Sequence, residues 1–339
     1  MSKRFPFSPF PTGWFCVAFS DELEPGEIQP RRLFGREVIL FRRPSGEPAM
    51  LDAHCPHMGA HLGFGGTLAG DGVKCPMHGF CFDSDGACVA VPYGTKAPPS
   101  ARMRTWPTVE MHGVILAFHD ERGRAPAWTV PALDVDGWSP LRRVTWTLRS
   151  HPQETSENSV DLGHFGEVHG YSQPTLREGP IVDGPHLTMR YSFKRRAGSL
   201  RWLARELDVE FEARVHGLGY SLVCARVAAL GVETRHFVFA TPTDGEQIEL
   251  RIALSMGPLD RGPRIARRAW PLATSLLSRF AFREFAADVR QDFAIWENKA
   301  YLDRPVLAKG DGPIPAYRRW CRQFYPDDAP SLSIVSDAR

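Results

Sequence analysis

Nothing in this 339-residue sequence approaches the roughly 18 unbroken apolar residues that a membrane span requires. The basic start, "MSKRFPFSPFPTGWFCVAF", is interrupted by Pro6, Pro9 and Pro11, and no small-residue cleavage site follows. No secretory leader is expected, and the protein is expected in the cytoplasm. Neither sign of charge is in excess: 41 Lys and Arg face 39 Asp and Glu. That balance leaves no broad field for nucleic acid or an anionic membrane. Internal repeats and low-complexity stretches are also missing, as is a Gly-x-Gly-x-x-Gly fingerprint after a strand, so no nicotinamide site is expected within the chain. Cysteine is sparse, and the count of seven is odd. An odd number scattered over a long chain argues against a disulfide framework and for metal ligation and buried thiols.

Two of those cysteines sit in the stretch "HCPHMGAHLGFGGTLAGDGVKCPMHGF", His54 to Phe80, which holds Cys55-x-His57 and Cys75-x2-His78, each pair followed by a glycine. The flanking segments "REVILFRR" and "MHGVILAFHD" alternate or run apolar, with turn residues at their ends. They predict a small all-β domain holding two metal-binding loops. A structural zinc site would satisfy the ligand count, but zinc knuckles usually pair Cys with Cys and His with His. Here each box is mixed. In a Rieske centre two cysteines bind one iron and two histidines the other, so each loop supplies one ligand to each iron.

On these boxes, Trp14 to about Phe118 resembles a Rieske domain, which implies a [2Fe-2S] cluster on Cys55, His57, Cys75 and His78. Rieske proteins of respiratory complexes carry an extra cysteine in each box, where this chain has Ala60 and Met77; the departure points to the lower-potential clusters of oxygenases and their ferredoxins. Cys81 and Cys88 are expected as reduced core or turn residues.

A second cluster lies in "ENSVDLGHFGEVHG", which reads Asn158-x2-Asp161-x2-His164-x4-His169. Asp161 and His164, at i and i+3, are expected on one face of a helix. Five residues turn a regular helix by about 500°, leaving His164 and His169 roughly 140° apart, so one ion could take both only across a π-bulge or a break. Gly163 and Gly166 give the tolerance. Two histidines and a carboxylate on one face of iron leave positions for O2. Asp-x2-His-x4-His after a Rieske domain resembles the Rieske non-haem iron oxygenases. The resemblance implies that His164 and His169 ligate a mononuclear Fe(II), that Asp161 bridges to the cluster of a neighbouring subunit, and that Asn158 lies near the iron.

The family's third ligand is a carboxylate on a helix near the C-terminus. "FREFAADVRQDFAIWENKAYLDRP" is expected as helix to about Tyr301. Asp292 shares a stripe with Phe285, Val289 and Trp296 and points inward, and "QDFAIWENK" resembles the family's Asp-x3-Trp helix. Asp292 therefore ranks ahead of Asp288, with Glu297 toward solvent. Five strands, "HLTMRYSF", "DVEFEARVHG", "YSLVCARVAA", "ETRHFVFATP" and "EQIELRIALSM", suggest an antiparallel sheet. The expected fold is α+β: an all-β Rieske domain over 1–125, a connector over 126–140, and over 141–339 a helix-grip-like antiparallel sheet with a long C-terminal helix.

The implied activity is that of a terminal oxygenase. It takes electrons from NAD(P)H through a separate flavin or iron–sulfur reductase, with or without a ferredoxin, and uses O2 to hydroxylate, desaturate or oxidatively demethylate a hydrophobic compound. "HPQETSENSVDLGHFGEVHG" and "FVFATPTDGEQIELRIALSM" look most like the sterol and steroid branch. A smaller aromatic or heterocyclic substrate is the alternative. An alternative of another class is a Rieske electron carrier fused to a hydrophobic-ligand module. The resemblance also implies a head-to-tail homotrimer. The basic segment "RGPRIARRAWPLATSLLSRFAFREF" reads as a solvated helix face, a docking site for an acidic ferredoxin, or a surface lying on a membrane.

Overall fold

The computed structural model of the chain describes residues 4–94, 96–196, 206–259 and 264–326, and for 196, 264–269, 271 and 272 the backbone alone. Its C-terminal half is built on a seven-stranded antiparallel sheet. From Arg142–Arg149 at one edge, the sheet continues through Gln247–Met256, Val232–Pro242, Tyr220–Val227, Glu206–His216 and His186–Arg196 to Ser172–Asp183 at the other. After the first strand, neighbours in the sheet are neighbours in the chain. The exception is the connection 150–171, which must cross from one edge to the other. It carries two short helices, α1 (Pro152–Glu157) and α2 (His164–Glu167), and with them both histidines of the second motif.

After the last strand comes the long helix α3 (Arg264–Gln291), then α4 (Phe293–Asn298). Leu148, Ile248, Leu250 and Ile252 of the sheet pack against Phe285, Val289 and Trp296 of these helices. A last helix, α5 (Ile314–Cys321), buries Tyr317 and Trp320 against Leu187, Met189 and Tyr191 at the other end. The α+β expectation holds, with two differences. The sheet has two edge strands that were not expected, Arg142–Arg149 and Ser172–Asp183. The helix expected to reach Tyr301 breaks at Asp292.

The N-terminal half is all β: sheets of three, four and four strands. The three-stranded one pairs Gly13–Phe19 with Val114–His119 and Thr108–Met111, and it lies on the outward face of the large sheet. Trp14, Phe19, Leu116 and Phe118 share one core there with Tyr220, Leu222, Phe237 and Phe239. A β-bulge between Cys16 and Ala18 interrupts the first strand, and at it the Cys16 carbonyl accepts Thr241 Oγ1 at 2.6 Å and Arg251 Nη1 at 3.1 Å. Arg4 and Phe7 reach across to the other half: Arg4 donates to the Lys299 and Arg149 carbonyls, and Phe7 packs on His151, Tyr301 and Tyr325.

Candidate metal centres

The two boxes form loops of the same design. In each, the cysteine N–H donates to the carbonyl five residues on, Cys55 to Ala60 at 2.9 Å and Cys75 to Phe80 at 2.8 Å. In each, the glycine four residues on, Gly59 or Gly79, donates back to the cysteine carbonyl. That closure needs a left-handed residue, and both glycines supply it, with φ of 78° and 73°. The loops face each other so that the Cys55 and Cys75 thiols meet and the His57 and His78 rings meet, centroids 4.6 Å apart. Both sulfurs are buried, and the His57 ring is exposed, stacked on Phe80. Burial pushes the Cys55 thiol up to about 11, with N–H groups of His57 and Met58 pulling it down.

A mononuclear zinc site draws its ligand atoms around one point. Among the described residues, only His164, His169 and Asp292 bring three such atoms within 4.8 Å of one another. The box ligands are instead sorted into a sulfur pair and an imidazole pair, which fits a two-iron group with unlike ends. All seven cysteines are free, so no disulfide joins Cys81 to Cys88.

The second motif folds as a break. His164 opens α2, the helix stops at Glu167, and the chain turns back so that the Tyr171 N–H reaches the Phe165 carbonyl at 2.9 Å. His169 projects from that turn instead of from the helix, and its ring lies 5.1 Å from that of His164. Asp161 is a correction to the expectation of a shared helix face. It lies between α1 and α2, and its Oδ1 accepts the His164 N–H at 3.3 Å as a cap does. Its Oδ2 is 3.7 Å from His164 Nδ1, a buried nitrogen with no hydrogen-bond partner among the described residues.

Asp292 stands at the junction of α3 and α4, 5% exposed, with Oδ2 3.6 Å from His169 Nε2. Burial raises its carboxyl pKa, while His169, His164 and a hydrogen bond from the Asn158 side chain pull it down. Asp288, one turn earlier, is otherwise engaged: its Oδ2 accepts Tyr171 Oη at 2.6 Å and Arg195 Nη2 at 2.8 Å. Glu297 is half-buried and outside the triad.

Gln291 was not foreseen. His169 Nδ1 lies 2.9 Å from its Oε1. A bond to an amide oxygen makes Nδ1 the protonated nitrogen and leaves Nε2, on the Asp292 side, its lone pair. The only signal in the sequence was adjacency to Asp292. Two imidazoles and a carboxylate, mostly buried, with one orphaned ring nitrogen, fit a divalent metal with open positions. Beside them lies a space of about 120 Å³, walled by Phe285, Val289 and Trp296 from the helices and Tyr191, Val223 and Val238 from the sheet.

Of the basic segment, residues 261–263 lie outside the described residues, as do the side chains of Arg264, Arg267 and Arg268. No helix among the described residues is long and apolar enough to cross a membrane.

Comparison with known proteins agrees with this geometry. Residues 13–107 match the Rieske [2Fe-2S] domain, and residues 117–325 match the 3-ketosteroid 9alpha-hydroxylase C-terminal domain. The chain is 31% identical to a cholesterol 7-desaturase, nvd 1, of Ciona intestinalis, over 97% of this chain and 71% of that one. It is 28% identical to a 3-ketosteroid-9-alpha-monooxygenase, oxygenase component, of Rhodococcus rhodochrous, over 94% and 84%. Among solved structures, dicamba monooxygenase bound to dicamba superposes with a TM-score of 0.70 at 20% identity, covering 92% of this chain and 96% of that one. Pseudomonas putida CBB5 NdmA with caffeine gives 0.69 at 18%, covering 91% and 89%. Those two likenesses speak to the fold alone. Relatives named desaturase and monooxygenase set aside the electron-carrier alternative, and the term oxygenase component implies a separate reductase. The cofactors are those of such an enzyme: a Rieske cluster, a mononuclear iron, O2 as co-substrate, and NAD(P)H consumed by the partner. The chain belongs to the Rieske-type oxygenases whose catalytic half is a 3-ketosteroid 9alpha-hydroxylase C-terminal domain.

Proposed function

We propose that this oxygenase acts on a sterol or steroid, which it hydroxylates, desaturates or oxidatively demethylates. The observation that carries the reading is the apolar wall that runs up to His164, His169 and Asp292 between α3 and the sheet. Likeness to sterol and ketosteroid enzymes over almost the whole chain supports it. When bound, iron at His164, His169 and Asp292 supplies the place where O2 is activated, and a cluster at Cys55, His57, Cys75 and His78 supplies electrons singly. The chain's own work is positional. Gln291 fixes the His169 ring, Asn158 holds the Asp292 carboxylate, and Phe285, Val289 and Trp296 keep water from the reacting carbon. The domains are proposed to divide as 1–125, 126–140 and 141–339.

A smaller aromatic substrate is the second reading, because a space of about 120 Å³ is narrow for four fused rings. A panel of sterols, ketosteroids, simple aromatics and methoxyarenes, offered with a surrogate reductase, NADH and O2, separates the two. Product mass is scored as well as NADH loss, since uncoupled O2 reduction also consumes NADH. Coupled product from rigid polycyclic compounds alone is expected. Coupled turnover of a small aromatic with none from any steroid would overturn the substrate and leave the oxygenase chemistry intact.

We also propose a cytoplasmic closed trimer, served by its reductase directly or through a ferredoxin. Met58, Phe64 and Met77 are exposed around the box tips, an apolar rim of the kind that a neighbouring subunit covers. Asp161, beside His164, would join the two centres across that contact. Sedimentation should give a trimer, and Asp161→Asn should keep both metals while slowing their electron exchange. A monomer with full turnover would refute the ring.

A further inference from the structure

The groove beside the triad continues along α3. A second hollow, of about 260 Å³, follows the first, and Phe211 and His236 line both. One row of the sheet serves the two. On Tyr220–Val227 the inner hollow takes Ser221 and Val223, and the outer takes Ala225 and Val227. On Val232–Pro242 the inner takes Val238, and the outer takes Thr234 and Val232. Each step is two residues, the period that keeps side chains on one face. On α3, Phe285 and Val289, with Asp292 just past its end, face the inner space, and Phe280, Ala281 and Glu284 face the outer. From Phe280 to Asp292 the helix rises roughly 18 Å, and from Ser221 to Val227 the strand runs roughly 20 Å, so both walls give the same length.

Neither hollow alone reaches the ~300 Å³ at which sites for drug-sized ligands begin, and the two in line pass it. The partition is made of side chains. His236 lies on Phe285 with centroids 4.5 Å apart, and Phe211 sits edge-on to Phe193 at 4.5 Å. His236 Nε2 is bonded to Thr234 Oγ1 at 2.8 Å. Burial, with Arg195 nearby, holds the ring at about 3, so it stays neutral and presents no charge to an apolar neighbour.

We propose that the two hollows are one substrate channel: the attacked carbon lies at the triad, and the rigid apolar remainder passes Phe211 and His236 into the outer hollow. The ligand class is thus a fused polycyclic compound whose aliphatic end is remote from the reacting position. The inference rests on the steroid reading above.

Equilibrium dialysis of the holoenzyme tests it without turnover, using a sterol that keeps its aliphatic side chain and a two-ring naphthol. Ala281→Phe narrows the outer hollow from the helix, and Val227→Trp narrows it from the strand, both at partly buried positions. Each should weaken sterol binding by about tenfold or more and leave naphthol binding within about twofold, with melting curves showing that the variants fold. Sterol binding unchanged in both variants overturns the channel alone. Equal loss of both ligands also overturns it, because the outer hollow would then not be separable from the inner. A wild-type protein that binds naphthol and no sterol overturns the channel and the steroid reading together.

Discussion

Asp288 and Asp292 stand one turn apart and line the same cavity, yet their surroundings give them different work. Asp288 is held by the Tyr171 hydroxyl and the Arg195 guanidinium. Asp292 is held by an amide and faces two imidazoles. Asp292→Asn keeps the volume and removes the charge, so one iron per chain should be lost while the visible spectrum of the cluster stays. Asp288→Asn should retain that iron and lower stability by about 1–3 kcal/mol, the cost of leaving buried partners imperfectly bonded. Metal analysis beside thermal melts reads both outcomes, and iron lost from the Asp288 variant alone would reverse the assignment. His164 and His169 were legible through the likeness of Asp-x2-His-x4-His to a known motif, and Asp292 through its apolar stripe and the Asp-x3-Trp likeness. Gln291 was not, because a residue that orients a ring from behind needs no fixed spacing.

Elements were legible where burial on one face writes a period into the sequence. The five inner strands of the large sheet carry it. Arg142–Arg149 carries it too, with Val144, Trp146 and Leu148 alternating, and a count of period two would have found it. Ser172–Asp183 could not be found that way: Pro174, Gly179 and Pro180 interrupt it, tolerable only because an edge strand leaves one side unpaired. The break at Asp292 has no glycine or proline to announce it. It shows only in the backbone bonding, where the Asp292 N–H reaches three residues back, to Val289 at 3.2 Å. Gly219 shows the same limit at a turn. A methyl there would lie 2.5 Å from the Trp14 carbonyl oxygen and 2.4 Å from the Phe15 ring, where the two halves meet. Gly219→Ala should therefore cost on the order of 1–3 kcal/mol as overpacking, seen as a lower melting temperature. An unchanged melt would mean that the interface gives more than its packing implies.

At the scale of the whole molecule, buried histidines tie stability to pH. Burial holds His119 at about 4 and His151, His216 and His236 at about 3, against an ordinary value of 6.5. The unfolded chain takes up these protons near 6.5, and the folded chain does not until pH is far lower. Acid therefore favours unfolding: their contribution is complete above about pH 6.5 and is lost progressively below it. Each histidine gives about 1.4 kcal/mol per pH unit in that window. Melting temperature should fall between pH 6.5 and 5, and His151→Gln should make the fall shallower. A melt flat over that range would contradict the burial of these rings.

The bulge at Cys16 has a consequence for how electrons can arrive. Its carbonyl is clamped by Thr241 and Arg251 of the large sheet, beside an apolar core common to both halves. A cluster-bearing head anchored in this way cannot swing on a tether between donor and acceptor. The separation between the two centres of one chain is set once, when the chain folds. In the proposed trimer, the path from the cluster of one chain to the triad of the next would likewise be fixed by how the copies stack, and the viscosity of the surrounding medium should have little hold on it.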